Sequence, residues 1–259
     1  GWYLSDKATN LTKWQFPGPF ILNANTTALV YCSGRDELVG GIAHTNFKIT
    51  QTKGNEIFIL SDVGANVVDS ITVIPHQKTH SRGRDVNGGL NWSVFTTTVS
   101  PGANNNGALL DYATTPSFSL PSGYYSAGID VAINSPDPNV TIYYTVDGSL
   151  PDNTSLVYNS PVNITSTTVL KAVAYSSNSS IPRSFLEYNT YFINDTHTVS
   201  ILSIAGTDLG DLLAGSWNLE PQGTVEYFDS NGSLLDKGTG EYNKHGNDSW
   251  AYDQRGFDF

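Results

Sequence analysis

The sequence predicts an all-β fold made of tandem β-sandwiches, with a short, partly β segment at the C-terminus. Short apolar runs recur along the chain between Gly, Pro, Asn and Asp, as expected for strands joined by turns. The run at 140–146 has the period of a half-buried strand, in which Val140, Ile142, Tyr144 and Val146 alternate with Thr141, Tyr143 and Thr145. Only residues 208–213 have the pattern of a short helix.

Composition and charge narrow the classes of partner. Hydrophobic side chains make up 39% of the 259 residues and aromatic ones 12%, which is enough for packed cores and excludes a disordered chain. Asp and Glu total 24 against 13 Lys and Arg, and the net charge of −11 disfavours nucleic acid or an anionic membrane as a partner. No apolar run approaches the roughly 20 residues that cross a bilayer, so no transmembrane segment is predicted.

The same composition predicts a location. A charged fraction of 14%, together with 24 Gly and 12 Pro, is typical of loop-rich extracellular β domains. The single Cys32 has no partner for an internal disulfide and lies in an apolar run, so we expect a buried small side chain. Eukaryotic secreted domains are often disulfide-rich, whereas this chain has a single cysteine, so its composition fits secretion from a bacterium better. The sequence therefore predicts an extracellular protein or a protein of the bacterial cell surface.

Two polar breaks divide the chain. Residues 100–107 (SPGANNNG) offer no side chain suited to a core, and residues 194–197 (NDTH) precede a new apolar strand. The sequence therefore predicts three pieces, at 1–107, 113–195 and 198–259.

An ordered series of aromatic and Pro-Gly motifs runs through the first piece. In chain order the motifs are GWYLSD at 1–6, WQFP at 14–17, HTNFKI at 44–49, the stretch 54–64, Ser81 with Arg84, and SPGAN at 100–104. This series, over about residues 1–106, resembles the lamin-tail domains of bacteria. The resemblance implies a β-sandwich.

Few side chains of the first piece are candidates for catalysis or for binding a metal or an anion. Trp2, Trp14 and Phe16 are large apolar residues on predicted strands, which favours core filling over ligand stacking. His44 could act as a ligand or base, but no Cys, second His or carboxylate lies at metal-binding spacing, which favours a structural role. Arg82 and Arg84, beside Asp85, could bind an anion; in an acidic chain an internal Arg–Asp pair or a bond to a backbone carbonyl is favoured.

The most specific string of the chain is IYYTVDGSLP, at residues 142–151. With the later runs 160–164, 167–174 and 191–193, it resembles the Ig-like module at the C-terminus of chitobiase and hexosaminidase enzymes, over about residues 115–193. The resemblance implies an Ig-like β-sandwich that accompanies an enzyme and is not itself the catalyst. The Asp147-Gly148 pair is explained by a tight turn, since Gly adopts a positive φ and the Asp side chain binds backbone N–H groups.

Four tyrosines of this second piece form a candidate ligand site. Aromatic rings with polar tips suit the faces of sugars, and the same rings also suit ordinary sandwich packing, so both interpretations stay open. The partner would be a surface glycan or another protein. The four residues are Tyr124, Tyr125, Tyr143 and Tyr175.

The third piece carries the strings VEYFDSNGS at 225–233 and GEYNKHGNDS at 240–249, followed by DQRGF at 253–257. In this order they resemble the beginning of CotH-type, spore-coat-kinase-like domains, although Arg255 stands where the family usually has Lys. The resemblance implies that the metal- and nucleotide-binding acids would follow Phe259. A piece of this size buries little surface by itself, so its aromatic residues should pack against the second sandwich or remain partly exposed.

No complete set of acid, base, nucleophile or metal ligands is present, and neither a P-loop nor a G-x-G-x-x-G string occurs. We therefore predict no catalytic residue, no metal site and no cofactor. The preferred function is that of accessory modules for adhesion or positioning in a secreted or surface-anchored bacterial multidomain protein. The alternatives are the N-terminal part of a CotH-type kinase-like enzyme, and a carbohydrate-binding module.

Ten Asn-x-Ser/Thr sequons occur along the chain, a number that suggests glycosylation. Asn, Ser and Thr are so frequent that chance supplies about half of them, and in a bacterial product they are a matter of composition. The Asn residues are Asn10, Asn25, Asn91, Asn139, Asn153, Asn163, Asn178, Asn194, Asn231 and Asn247.

Overall fold

The computed structural model describes residues 1–18, 20–50, 56–246 and 255–259. Within these residues the chain forms 23 strands and one helix of six residues, which confirms the all-β prediction. Two compact units are present, Gly1–Asp111 and Tyr112–Phe259. Several residues of the sequence motifs lie outside the described part: Gly54, Asn247, Ser249, Trp250, Asp253 and Gln254.

The first unit contains three small sheets. Their strand orders are β2-β1-β6-β7, β3-β5-β4 and β8-β9. Leu4, Trp14, Ala43 and Phe47 form its buried cluster and Phe16 packs against it, so the predicted core role of Trp14 and Phe16 is confirmed. The prediction is wrong for Trp2, which lies before β1 and is 49% exposed. The strands are β1 (Tyr3–Ser5), β2 (Trp14–Gln15), β3 (Val30–Tyr31), β4 (Glu37–Val39), β5 (Ile42–His44), β6 (Ile57–Ser61), β7 (Val67–Thr72), β8 (Ser81–Arg84) and β9 (Trp92–Phe95).

The second unit begins with a sandwich. One layer is a five-stranded sheet of order β11-β18-β17-β14-β15, and the other consists of the strand pairs β12-β16 and β10-β13. The strands are β10 (Ser117–Phe118), β11 (Gly123–Tyr125), β12 (Ile129–Val131), β13 (Ile133–Asn134), β14 (Val140–Thr145), β15 (Leu156–Val157), β16 (Val162–Ile164), β17 (Thr168–Ser176) and β18 (Glu187–Ile193).

The core of this sandwich lies between the two layers. The strand pairs contribute Val131, Ile133, Val162 and Ile164, and the five-stranded sheet contributes Leu170, Ala172, Tyr191 and Ile193. On β17 and β18 the core residues are two positions apart, so each is followed by a residue on the opposite face of the sheet. That opposite face carries the site described below.

A third sheet, of order β19-β20-β21, follows in the same unit. The segment 198–259 is thus packed in one compact unit with the sandwich before it, and its identity as a domain fragment stays a prediction. Its elements are β19 (Ile201–Gly206), α1 (Leu209–Ala214), β20 (Gln222–Phe228), β21 (Leu234–Glu241), β22 (Asn243–Lys244) and β23 (Phe257–Asp258).

The helix α1 lies one residue later than the sequence pattern indicated. Asp208 precedes it with a φ of 59°, and Gly215 ends it with a φ of 123°. Leu209 and Leu212, three positions apart on one face, are buried together with Tyr242. Within the described residues no helix is long and apolar enough to cross a membrane.

Candidate functional site

The outer face of the five-stranded sheet is buried over most of β17 and β18. The residues there occupy the phase of the strand alternation that usually faces water. Lys171 is fully buried, and Thr190 and Phe192 expose 2% and 6% of their surfaces. Contacts with β19 and β20 cover all three. We call the region formed by Lys171, Thr190, Phe192, Ala205, Glu226 and Phe228 the intersheet interface.

Glu226 of β20 is the acidic group of the intersheet interface, and it is 1% exposed. Its carboxylate accepts hydrogen bonds from Ser122 and, at 2.5 Å, from Thr190 Oγ1. The Thr190 hydroxyl also bonds to Ser203 at 2.7 Å. Burial raises the pKa of Glu226, and the two hydroxyl bonds oppose that shift only in part. A carboxylate so enclosed binds the sheets together and is not accessible to a substrate.

Lys171 of β17 is the basic group. Its Nζ donates a hydrogen bond of 3.0 Å to the main-chain oxygen of Ala205 in β19. Burial lowers the pKa of Lys171 to about 8, against the opposing influence of the negative charges of Asp147 and Glu226. The amine is therefore held by a backbone carbonyl, with acids nearby, in a place that water does not reach.

Aromatic rings complete the contact at one end. Phe192 meets Phe228 edge-to-face at 5.2 Å between ring centres, and Tyr124 stacks on Phe192 at 4.5 Å with an angle of 17°. The β20–β21 turn closes over the Tyr124 ring, because a Cβ at Gly232 would lie 2.6 Å from its Cδ2. Gly232 also has a φ of 84°, so this turn needs a glycine for both reasons.

The opposite rim of the intersheet interface is charged. Lys237 of β21 pairs with Glu187 of β18 at 2.8 Å and lies 4.7 Å above the ring of Tyr188. This ion pair is partly exposed, so its contribution to stability is small compared with that of the buried groups.

The Asp147-Gly148 turn contacts the same third sheet. Asp147 Oδ1 accepts bonds from the Ser149 N–H at 3.0 Å and from its hydroxyl at 2.6 Å, and these bonds lower the pKa of Asp147. Gly148 has a φ of 82°, and a Cβ there would lie 3.2 Å from that of Ala205. The turn therefore has the predicted chemistry and also supports β19, a role that the motif alone does not indicate.

A shallow groove of about 400 Å³ opens beside this turn. It lies between the start of β17, strand β19 and helix α1, and Asp147 is its only acidic lining residue. The carboxylate has no acid, base or metal ligand opposite it in the lining. The described residues contain no cluster of three or more metal-binding side chains.

The structure separates the four candidate tyrosines. Tyr124 is part of the aromatic contact with Phe192, on the outer face. Tyr125 packs towards the core against Tyr191 at 5.9 Å, and its hydroxyl donates to the Pro121 oxygen at 2.7 Å. Tyr143 and Tyr175 come together, edge-to-face at 5.4 Å, on β14 and β17. Because β18 lies between β11 and β17, only this second pair forms a common surface.

The candidate side chains of the first unit have structural partners. His44 is 6% exposed, and its Nδ1 lies 2.9 Å from Ser33 Oγ and 2.9 Å from an Arg35 nitrogen. Arg84 pairs with Asp69 at 2.8 Å, and Arg82 pairs with Asp111 at 2.7 Å. Internal Arg–Asp pairs are thus present, with acids other than the adjacent Asp85.

Comparison with known proteins identifies one part of the chain. A family model described as the chitobiase/beta-hexosaminidase C-terminal domain matches residues 120–183, from β11 through β17. The matched family consists of non-catalytic Ig-like domains, and the match agrees with part of the resemblance predicted for the second piece. No curated protein and no solved structure matches the chain. The lamin-tail and CotH resemblances therefore remain predictions from motifs.

Proposed function

We propose that the chain is a non-catalytic part of a secreted or surface-anchored multidomain protein, and that its Ig-like sandwich positions the segment that follows it. The observation that carries this proposal is the intersheet interface. Two charged side chains from different sheets are buried there, and each is bonded to the opposite sheet.

Buried charges specify one arrangement more strictly than apolar contacts do. An uncompensated buried charge costs several kcal/mol, so Lys171 and Glu226 are tolerated only while their partners are in place. Sliding of β19 or β20 along the sandwich would break those bonds. The aromatic stack adds contact area but allows more freedom of position. The combination suits a module that holds a neighbouring segment in a fixed orientation.

A distance measurement tests this positioning role. In a Cys32→Ser background, spin labels are attached at the exposed positions 160, in the sandwich, and 235, in β21. We expect a single narrow distance distribution. A Gly232→Leu substitution should broaden it, because the new side chain displaces the Tyr124 ring. Gly246→Leu is the matched control, since Gly246 also has a positive φ but has nothing within 4 Å of its Cβ position. A broad distribution in the unsubstituted chain would contradict the proposal.

The neighbouring pieces give the proposal its wider setting. Motif series support a lamin-tail-like sandwich at 1–107 and the beginning of a CotH-type domain at 198–259, so the Ig-like module would join two others.

The purified chain should show neither kinase nor glycosidase activity, because no complete catalytic set occurs in its sequence. Metal-dependent ATP turnover that persists through repurification would favour the kinase alternative.

A second candidate function is carbohydrate binding at the Tyr143–Tyr175 pair. Both rings are half-buried and lie on the outer sheet face away from the aromatic contact of Tyr124. A glycan array with the whole chain tests this function, with Tyr175→Ala as the disabling variant. Tyr125→Phe, which keeps the ring in the core and removes only a hydroxyl, is the control. Equal signals from all three proteins would exclude the pair as a sugar site.

A further inference from the structure

We propose that the exposed Asn-x-Ser/Thr sequons of this chain are sites of N-linked glycosylation. Their number is the first observation. With 23 Asn and 53 Ser and Thr among 259 residues, a random order gives about five sequons, against ten in the chain. Composition alone therefore accounts for about half of them and leaves the other half unexplained.

Exposure is the second observation. The nine sequon Asn residues in the described part of the chain are all exposed, and they occur in both compact units. In seven of the nine, the Ser or Thr at the third position is exposed as well, and the exceptions are Ser93 and Ser155. An oligosaccharyltransferase needs access to both side chains, and these sequons provide it.

The surroundings of the sequons are the third observation. Leu90 is 88% exposed and immediately precedes Asn91; Leu156, three residues after Asn153, is 57% exposed. Leu235 is also 57% exposed, four residues after Asn231. Apolar side chains so open to water favour association between molecules. A glycan on each neighbouring Asn would cover them, so the positions have a physical use.

The chemistry requires one co-reactant, an oligosaccharide linked to a lipid pyrophosphate. The Asn Nδ2 attacks the anomeric carbon of the first sugar, a C–N bond forms, and the C–O bond to the pyrophosphate breaks. The lipid pyrophosphate leaves with the bonding electron pair, and the nitrogen loses one proton. No oxidant or reductant takes part.

The amide nitrogens differ in availability, which predicts a ranking. Asn91 Nδ2 donates to Asp85 at 2.9 Å, and Asn163 Nδ2 donates to Asp130 at 2.8 Å. The side chain of Asn231 also shares a hydrogen bond with Asp229. The Nδ2 atoms of the other six sequons have no partner among the described residues. For modification of the folded chain, Asn91, Asn163 and Asn231 should carry glycans in the smallest fraction of molecules.

Mass spectrometry of the protein purified from its own cells tests the proposal. Release of N-glycans by an amidase in H₂¹⁸O converts each modified Asn to a mass-tagged Asp. We expect the tag at five or more of the nine sequons, with Asn91, Asn163 and Asn231 lowest. Tags at fewer than five, or at none, would overturn the proposal. This outcome is independent of the positioning role, which a distance measurement on unglycosylated protein decides.

Matched variants connect the modification to the motif. Thr196→Ala removes the sequon of Asn194 and leaves the Asn in place, whereas Thr196→Ser preserves the sequon. In a secretory host that performs N-glycosylation, we expect the first variant to lose one glycan mass and the second to retain it. Identical masses for the two variants would show that Asn194 is not an acceptor and would count against the proposal.

Discussion

Strands β17 and β18 of the five-stranded sheet in residues 112–259 are buried on both faces, but the two faces are buried by different chemistry. The inner face carries Leu170, Ala172, Tyr191 and Ile193 against an apolar layer. The outer face carries Lys171 and Thr190 against Glu226 and a main-chain carbonyl. Apolar contact on the inner face supplies stability, since it needs no exact partner atoms. In the proposed positioning role, bonded charges on the outer face define the orientation, at a desolvation cost.

The largest expected effect concerns the inner face. Leu170→Ala removes a fully buried side chain and should lower the free energy of unfolding of the second unit by about 3 kcal/mol. Urea unfolding followed by tyrosine fluorescence measures the loss. Val157→Ala, at a site that is 45% exposed on β15, is the control and should change it by less than about 1 kcal/mol. Equal losses would mean that the inner face is not the main source of stability.

A smaller effect is expected at the outer face. Glu226→Ala leaves the hydroxyls of Ser122 and Thr190 without their acceptor and should cost about 2 kcal/mol. Unlike the inner-face variant, it should also broaden the distance distribution between positions 160 and 235. Glu226→Gln keeps the shape and one acceptor oxygen, so its distribution should stay narrow. A narrow distribution in the alanine variant would contradict the division of roles between the faces.

The pH dependence of stability sharpens the comparison further. The pKa of Lys171 is about 8 in the folded chain and 10.5 for an ordinary lysine side chain, so between these pH values the unfolded state binds more protons. The penalty for burying this amine therefore shrinks as pH rises, and stability should increase by about 1 kcal/mol from pH 7 to pH 9. Urea midpoints across this range measure the increase.

Lys171→Met is the control for the pH experiment. The thioether fills the same space without a titrating group. The difference between the two proteins in how stability changes with pH therefore reports the titration of Lys171 and not that of Glu226 or the tyrosines. We expect the increase to vanish in this variant. A rise of the same size in both proteins would assign it to another group.

The smallest expected effect is at the turn that supports β19. Asp147→Ala removes two hydrogen bonds to Ser149 in a mostly exposed loop and should cost about 0.5–1 kcal/mol. Asp147→Asn keeps an acceptor oxygen and should cost less. Amide hydrogen exchange of the β19 backbone measures whether the loosened turn also frees that strand, and unchanged protection would show that the turn acts only locally.

The sequence predicted the inner face and missed the outer one for a physical reason. Period-two alternation encodes which residues of β14 face a core, because that information is local. The partners of Lys171 and Thr190 lie 34 and 36 residues away, and a short-range pattern cannot contain such a pairing. One signal was available: Val173, on the outer phase of β17, is apolar and fully buried, and strands that are apolar on both faces indicate a sheet covered on both sides.

The candidate site was predictable only in part, for a related reason. The Asp147-Gly148 turn followed from its own residue types. The proposed surface of four tyrosines depended on strand order, which placed β18 between Tyr124 and the Tyr143–Tyr175 pair. Tyr124 and Tyr125 are neighbours in the sequence, and the side chains of neighbouring strand residues point to opposite faces of the sheet. Their two rings therefore lie on different sides of it.

The bond from Lys171 ends on the carbonyl oxygen of Ala205, an atom that every amino acid possesses. This half of the intersheet interface therefore does not depend on which side chain occupies position 205, provided that it is small enough for Gly148. Glu226 is the side chain of the third sheet that joins the sandwich through a buried carboxylate. A recombinant chimera could exchange most of β19 and β20 for an unrelated antiparallel pair, and with a carboxylate in this register it should still dock in the native orientation. The proposed positioning role therefore places few demands on the sequence of the segment that the sandwich holds.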